Sequence, residues 1–221
     1  MLLCAVMHTW LAAGNSAELK ANTSTPLVRT AAGASARIVI DRKLRHLTVS
    51  DASGHKLYDT DIGIGRGGLG KKKTMEDCIT PAGVFKVDLV LYKQAFNAID
   101  PSLLQKYVND PLASEYLRSP DALQRLFSNM NSIDFNGDSK PDTAYGIAYV
   151  GLNSPAAVTG PKLSSFNGTT YWFSIALHGT SNEKRNIGFA NSGGCLQIPE
   201  AVLKPLIEKH ILRLGSEVII N

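Results

Sequence analysis

Residues 36–64 alternate between apolar and polar positions in the way that is typical of β-strands. β-Branched side chains are frequent in residues 36–50, and the Asp-Ala-Ser-Gly sequence at 51–54 is typical of a tight turn. Strand-like alternation resumes at residues 55–64. The pattern predicts a β-hairpin at the start of this region.

The rest of the chain combines further strands with one helical region. From about residue 100 to residue 130, apolar positions recur at helical spacing, and Asp100-Pro101 and Ser119-Pro120 are typical helix starts. We predict a mainly β fold with a helical insertion at about 100–130. Strands are predicted at 85–92, 144–151, 170–177 and 217–220, and a short C-terminal helix at about 199–209.

A glycine-rich segment at residues 63–70 contains a GxGxxG pattern at Gly63, Gly65 and Gly68. A nucleotide-binding fold requires a helix directly after such glycines, and the sequence KKKTMEDCITPAG that follows does not predict one. We therefore reject nucleotide binding and predict a mobile loop.

The chain of 221 residues is 44% hydrophobic, which is enough for one sizeable core. Residues 1–17 contain an apolar run followed by small residues, which is typical of a secretory signal peptide, although no Lys or Arg precedes the run. A linker at 18–35 and one domain at 36–221 complete the predicted organisation. We expect export, and no other stretch has transmembrane length.

The charge of the chain is nearly balanced, with 23 basic and 19 acidic residues and a formal net charge of +4. This mild bias does not favour nucleic acid as a partner. The Lys-Lys-Lys run at 71–73 is interpreted first as a solvated loop and only weakly as a contact for an anionic polymer.

Three cysteines do not form a tidy set of disulfides. Cys4 would leave with the signal peptide, whereas Cys78 and Cys195 would remain. A disulfide between these two would switch off any reaction that uses one of them. We favour a partly buried free thiol for Cys78.

Residues 177–199 carry the side chains with the clearest chemistry. A β-branched and aromatic strand ends at His178, and Cys195 follows 17 residues later, directly after Gly193 and Gly194. A neighbouring imidazole can lower the pKa of a thiol and accept its proton. The two glycines allow a substrate to approach the backbone, so the amides of Gly194 and Cys195 are candidate oxyanion donors.

This pattern resembles the L,D-transpeptidase catalytic domain, the YkuD-like family, whose signature is His-Gly-Thr, a loop, and Ser-His-Gly-Cys. An early Thr-Pro-x-Gly-x-Phe strand of the family is also present. The resemblance covers roughly residues 36–100 and 144–221 and implies a β-sandwich or barrel. The matching residues are His178, Gly179, Thr180, Ser192, Gly194, Cys195 and Leu196, together with Thr80, Pro81, Gly83 and Phe85.

The resemblance implies acyl transfer on peptidoglycan stem peptides in the periplasm or cell wall, without a cofactor. Cys195 would attack the third residue of a tetrapeptide stem and expel the terminal D-alanine, and an amine would resolve the thioester. His178 would act as the base, oriented by the carbonyl of Gly179. Oxyanion and substrate contacts would come from Thr180, Ser192, Gly193, Gly194 and Gln197.

Two positions depart from the family pattern. Gly193 stands where the family has His, and Gln197 stands where Arg or Asn is common. Neutral Gln can donate hydrogen bonds but cannot supply the charged fork of Arg to a substrate carboxylate. Two alternatives therefore stay open: an L,D-carboxypeptidase or amidase that trims stems, and a wall-binding module with a decayed site.

Residues 134–142 resemble a calcium-binding loop of the Asp-x-Asn-x-Asp type. Oxygen side chains at alternate positions suit a hard cation such as Ca²⁺, but Ser139 stands where such loops prefer Gly, and no Glu follows at the twelfth position. A turn stabilised by Asp and Asn side chains is an equal alternative. The candidate ligands are Asp134, Asn136, Asp138 and Asp142.

Overall fold

The computed structural model describes residues 36–94, 96–153 and 162–221. The predicted signal peptide at 1–17 and the linker at 18–35 lie outside the described residues. Within the described ranges, no helix is long and apolar enough to cross a membrane.

The protein is mainly β, as the sequence pattern predicts. The structure contains short strands in addition to the predicted ones. The strands are β1 (Arg37–Asp41), β2 (His46–Ser50), β3 (Lys56–Asp61), β4 (Ile64–Gly65), β5 (Gly83–Tyr92), β6 (Ala98–Ile99), β7 (Ala148–Leu152), β8 (Leu163–Phe166), β9 (Thr169–Trp172), β10 (Ala176–His178), β11 (Ala190–Ser192), β12 (Leu196–Gln197) and β13 (Glu217–Ile220).

One curled sheet of mixed direction forms the body of the fold. Its strands follow the order β12-β10-β7-β5-β13-β1-β2-β3, with β6 paired to β5. The β1–β13 and β10–β12 pairs are parallel, and the other pairs in the sheet are antiparallel. Two small sheets, β4–β11 and β8–β9, lie outside it.

The prediction of one strand over residues 36–50 is wrong, because β1 and β2 already form a hairpin. The chain reverses between Asp41 and His46, where Arg45 adopts a positive φ of 55° and the Leu44 N–H donates to Asp41 Oδ1 at 2.8 Å. The second predicted turn then joins β2 to β3. The region is a three-stranded meander.

Strand β5 bends in its middle and connects the two halves of the sheet. Its first half pairs with β13 and its second half with β7, and the register with β7 shifts between Val87 and Leu89. Such a bulge increases the local twist of a strand. From Val87 onward, every residue of β5 except the charged Asp88 is a buried apolar or aromatic side chain, because both faces of the strand are covered.

The helical insertion is present at the predicted place. It consists of α1 (Pro101–Lys106), α2 (Pro111–Tyr116) and α3 (Pro120–Ser132), each with Pro in its first turn. The side chains of Asp100, Asp110 and Ser119 accept hydrogen bonds from the first-turn N–H groups. Farther along the chain, α4 (Glu183–Asn186) precedes β11, and the predicted C-terminal helix is α5 (Glu200–Glu208).

Two apolar cores lie on opposite faces of the sheet. The first includes Ile38, Val90, Leu177 and Leu196 and packs against the inner face of α5. The second lies under the helical insertion and joins residues of α1, α2 and α3 to strands β5, β7, β9 and β10. The insertion therefore covers one face of the strands that carry the candidate site.

The predicted strand at 170–177 is divided in two. Its first part, β9, pairs only with β8, and its second part, β10, joins the main sheet. Between them, the Phe173 N–H donates to the Lys162 carbonyl and the Ser174 N–H donates to the Tyr149 hydroxyl. These contacts take the backbone out of a continuous ladder, so Ser174 becomes a corner.

The glycine-rich segment is close-packed at Gly65, so the prediction of a mobile loop is wrong there. A Cβ added to Gly65 would lie 2.1 Å from the Cys78 carbonyl oxygen and 2.9 Å from Gly194 Cα. Gly65 also belongs to β4, which pairs with β11. Only a residue without a side chain allows these two backbone segments to approach so closely.

We expect Gly65→Ala to lower the free energy of unfolding by about 2 kcal/mol or more, because backbone atoms would have to move apart. Urea unfolding followed by circular dichroism measures the change. Gly70→Ala is the matched control, since a Cβ there would meet only Ile79 Cδ1 at 3.6 Å, an ordinary contact. Equal stability of the two variants would contradict the close packing.

Candidate active site

Cys195 and His178 lie at the ends of two adjacent parallel strands. Cys195 directly precedes β12, and the register pairs Leu177 with Leu196 and His178 with Gln197. Leu177 and Leu196 face the first core, and side chains alternate along a strand. Cys195 and His178 therefore share the opposite face, where Cys195 packs against the second core.

The imidazole of His178 is held in one orientation by its own strand end. Its Nδ1 lies 2.5 Å from the Gly179 carbonyl oxygen, which can only accept a hydrogen bond. Nδ1 therefore carries the proton, and Nε2 keeps a lone pair that can take up another. The ring stacks on Tyr149 at 6.2 Å and meets the edge of Tyr145 at 5.2 Å between centroids.

Burial keeps both reacting groups neutral at rest. It lowers the pKa of His178 to about 4 and raises the pKa of the Cys195 thiol to about 11. The imidazole was expected to lower the pKa of the thiol, but the groups that lower it are the Ala176 backbone and Lys72, and burial outweighs both. The Cys195 Sγ lies 3.5 Å from the Ser174 carbonyl oxygen, which accepts a hydrogen bond from the thiol.

Cys195, the candidate nucleophile, lies in a turn formed by residues 192–195, which we call the nucleophile turn and which its own residues stabilise. The Ser192 hydroxyl donates to the Cys195 carbonyl at 2.6 Å and accepts from the Gly194 N–H at 3.1 Å. The Gly194 amide, a predicted oxyanion donor, is therefore engaged, whereas the Cys195 N–H has no partner among the described residues. Gly194 has a positive φ of 123°, which favours glycine.

Thr80 joins the nucleophile turn to the glycine-rich segment. Its fully buried hydroxyl donates to the Gly194 carbonyl at 2.8 Å and accepts from the Gly65 N–H at 2.8 Å. In the sequence, Thr80 was noted only as part of a strand motif. The hydrogen bond that it makes to Gly194, 114 residues away in the sequence, is not visible in any local pattern.

The remaining predicted substrate residues lie in different surroundings. Gly193 is exposed, and a Cβ built on it would meet nothing within 4 Å. Thr180 is half-buried and accepts from the Asn186 side chain through its hydroxyl. Gln197 is buried, and its Oε1 has no hydrogen-bond partner among the described residues. Their substrate contacts stay predictions.

The acidic loop at 134–142 is organised by hydrogen bonds from its own backbone. Asp134 accepts from the N–H groups of Gly137, Asp138 and Ser139, and Asp142 accepts from the Phe135 N–H. In the described ranges, no group of three or more His, Cys, Asp and Glu side chains is arranged to hold a metal ion. The Ca²⁺ site therefore stays a prediction.

The Lys-Lys-Lys run is not uniformly solvated as expected. Lys71 and Lys73 are exposed, but the side chain of Lys72 is only 2% exposed and forms an ion pair with Asp77 at 2.9 Å. Cys78 and Cys195 are both free thiols. The sequence did not indicate that Tyr145 and Tyr149 contact His178, because these contacts depend on which parts of the chain the fold brings together.

A family model for the L,D-transpeptidase catalytic domain, YkuD, matches residues 35–220. The chain therefore belongs to this family, as its motifs indicate. No curated protein sequence gives a significant match.

Three solved structures that are similar to this chain are longer than the part that aligns with it. Bd1075 of Bdellovibrio bacteriovorus is 19% identical, with 85% of this chain and 48% of that chain aligned at a TM-score of 0.43. The helical cell shape determining protein Pgp2 of Campylobacter jejuni is 14% identical, with 85% and 48% aligned and a TM-score of 0.47. An L,D-transpeptidase of Mycobacterium smegmatis is 15% identical, with 86% of this chain and 59% of that chain aligned at a TM-score of 0.41. The chain spans about half the length of these structures.

We expect Thr80→Val to destabilise the protein by about 2 kcal/mol, since it leaves a buried N–H and a buried carbonyl unpaired. Turnover should fall by about tenfold or more, because the nucleophile turn loses its support. Urea unfolding and muropeptide turnover measure the two effects. The control is Thr48→Val, whose hydroxyl bonds to the exposed Asp59, and equal losses in both variants would remove Thr80 from the site.

Proposed function

We propose that the protein is a peptidoglycan L,D-transpeptidase that transfers an acyl group through a Cys195 thioester. The observation that carries the proposal is the position of Cys195 and His178 on one face of two adjacent parallel strands, with the His178 Nε2 lone pair left free. Family membership supports the reaction class. The residues alone would fit any acyl transfer by a thiol.

Acylation begins from the neutral pair. The Cys195 thiol transfers its proton to His178 Nε2 while sulfur attacks the carbonyl of the third stem residue. The N–H of Cys195, which has no partner in the described part of the chain, is positioned to donate to the oxyanion. Collapse breaks the peptide bond, and D-alanine leaves with the proton that His178 held.

The thioester is then resolved by an amine from a second stem. Neutral His178 accepts a proton from the attacking amine, a new peptide bond forms as the carbon–sulfur bond breaks, and His178 returns the proton to the departing sulfur to regenerate the thiol. The aromatic rings of Tyr145 and Tyr149 cover the imidazole, and burial keeps both phenols neutral by raising their pKa. Water kept away from this side of the imidazole would favour an amine over hydrolysis.

One observation favours the alternative of L,D-carboxypeptidase activity. Gly193, next to the nucleophile turn, is exposed and has open space around its Cα, which gives water a path. The same Cys195 and His178 would serve both reactions. Products distinguish them: cross-linked dimers for transfer, and shortened monomers for hydrolysis.

The proposed setting is the periplasm or cell wall, with stem peptides as substrate, no required cofactor and no nucleic acid partner. The Asp134–Asp142 loop is proposed only as a structural Ca²⁺ site, apart from the chemistry. Its carboxylates contact backbone N–H groups of the loop itself.

We expect Cys195→Ala to abolish turnover of tetrapeptide stems, and His178→Ala to slow acylation by roughly 10²- to 10⁴-fold. Mass spectrometry of dimers, trimmed stems and released D-alanine measures both reactions. The controls are Cys78→Ser and His55→Ala, which change a second free thiol and an exposed imidazole. Persistent turnover by folded Cys195→Ala would place the chemistry elsewhere.

We expect kcat/KM to stay nearly constant between about pH 5.5 and 8. His178 must be neutral to accept a proton, and its pKa of about 4 places the loss of activity well below the usual histidine value. The thiol pKa of about 11 places thiol ionisation well above this range. Rate measurements across the range test this expectation.

Stability needs a separate measurement in the same pH series. A histidine whose pKa is lowered in the folded state contributes fully above pH 6.5, and that contribution is lost as the pH falls toward 4, since the unfolded chain binds the proton. Circular dichroism at each pH separates unfolding from loss of the base. An acid limb centred near pH 6.5 in folded protein would contradict the buried neutral imidazole.

A further inference from the structure

Lys72 places a buried ammonium group beside the nucleophile turn. Its side chain is 2% exposed, and a Cβ built on Gly194 would lie 3.4 Å from Lys72 Nζ. Lysine normally extends its charged end into water, and burying that charge is costly unless it is compensated. The ammonium packs against the residue before Cys195, and the proposed reaction steps assign it no role.

The segment that carries Lys72 is built around the carboxylate of Asp77. Besides the Lys72 ammonium, this carboxylate accepts from the backbone N–H groups of Lys73, Thr74 and Ile79. The same segment continues to Thr80, which holds Gly194. The Asp77 carboxylate thus holds the ammonium and the surrounding backbone in one arrangement beside Gly194.

The groups around Cys195 differ in charge. Tyr145 and Tyr149 are neutral phenols and His178 is a neutral imidazole, because burial opposes their ionised forms. Lys72 acts on Cys195 in the opposite sense to burial and lowers the pKa of the thiol. A cation packed against Gly194, the residue before Cys195, stabilises the sulfur whenever the sulfur carries negative charge.

We propose that Lys72 is a positioning residue that stabilises the negative charge developing on Cys195 sulfur as the thiol proton moves to His178 Nε2. In this role no proton passes through Lys72. The inference rests on the proposed role of Cys195 as the nucleophile. Neutral Gln197 brings no such charge, and the cation comes instead from a distant part of the sequence.

The test measures alkylation of Cys195 by iodoacetamide between pH 6 and 9, quantified by mass spectrometry on the peptide that contains Cys195. Since the thiolate is the reacting form, Lys72→Met should slow alkylation by about tenfold or more at each pH. Lys72→Arg, which keeps the charge, should recover most of the rate. The matched control is Lys73→Met, which removes an exposed neighbour and should change little.

Two measurements in the same samples exclude a merely structural role. Cys78 lies in the Asp77-centred segment, so collapse of that segment would change Cys78 labelling as well as Cys195 labelling. Asp77→Asn removes the counter-charge and should speed alkylation of Cys195 in protein whose Cys78 labelling is unchanged. If Lys72→Met does not fold, an unchanged or slower Cys195 rate in such Asp77→Asn protein overturns the proposal.

An unchanged rate in folded Lys72→Met, or an equal loss in Lys73→Met, would also overturn it. Alkylation does not require a peptidoglycan substrate, so this result is independent of turnover. If the expected alkylation rates are found but stems are not converted, the proposed function fails and the role of Lys72 stands. If stems are converted and the alkylation rates do not depend on Lys72, the proposed function stands and the role of Lys72 fails.

Discussion

The site depends on the parallel pairing of β10 with β12. Two strands that run side by side in the same direction need a crossover between them, and residues 179–195 make it through α4 and β11. The β10–β12 register covers only two residue pairs, which is too little to hold a nucleophile by itself. Backbone hydrogen bonds between Gly63 and Gln197, and the Thr80 hydroxyl on Gly194, supply the missing constraint.

This pairing also explains the state of the reacting groups. The face that carries Cys195 and His178 is covered by the second core and by the tyrosine rings of β7 and the turn before it. Burial disfavours both ions of a thiolate–imidazolium pair, so the thiol and the imidazole are both neutral at rest, and charge would develop on them only in the proposed reaction. A nearby cation then affects the barrier more than it would in water.

The sequence predicts the elements better than their partners. Pro after Asp100 and Ser119 locates helix starts because capping is a local interaction, and the Asp110 cap follows the same rule. The split between β9 and β10 is set by Tyr149 and Lys162, which come from elsewhere in the chain. Alternating hydrophobicity is the same for one strand and for two strands joined at a corner, so it predicted one.

The candidate site shows the same limit. His178 and Cys195 could be identified because the motif keeps their neighbours in the sequence. Tyr145 and Tyr149 contact His178, and Thr80 contacts Gly194, only through the fold. The prediction of a mobile glycine loop was wrong at Gly65, because the sequence does not distinguish a glycine required by close packing from a glycine in a free loop. Close approach at Gly65 depends on where Gly194 lies.

The three consecutive lysines at 71–73 show the same limit of local sequence information. Identical side chains in one run have opposite environments, since Lys72 points inward and its two neighbours are exposed. The difference arises from Asp77, whose Oδ2 accepts from the backbone N–H groups of Lys73 and Thr74. Its Oδ1 accepts from both the Ile79 N–H and the Lys72 ammonium. A single side chain thus fixes the course of the segment that also holds Thr80. The charge near the nucleophile and the hydrogen bond that supports its turn are consequently not independent: a change in that segment alters both.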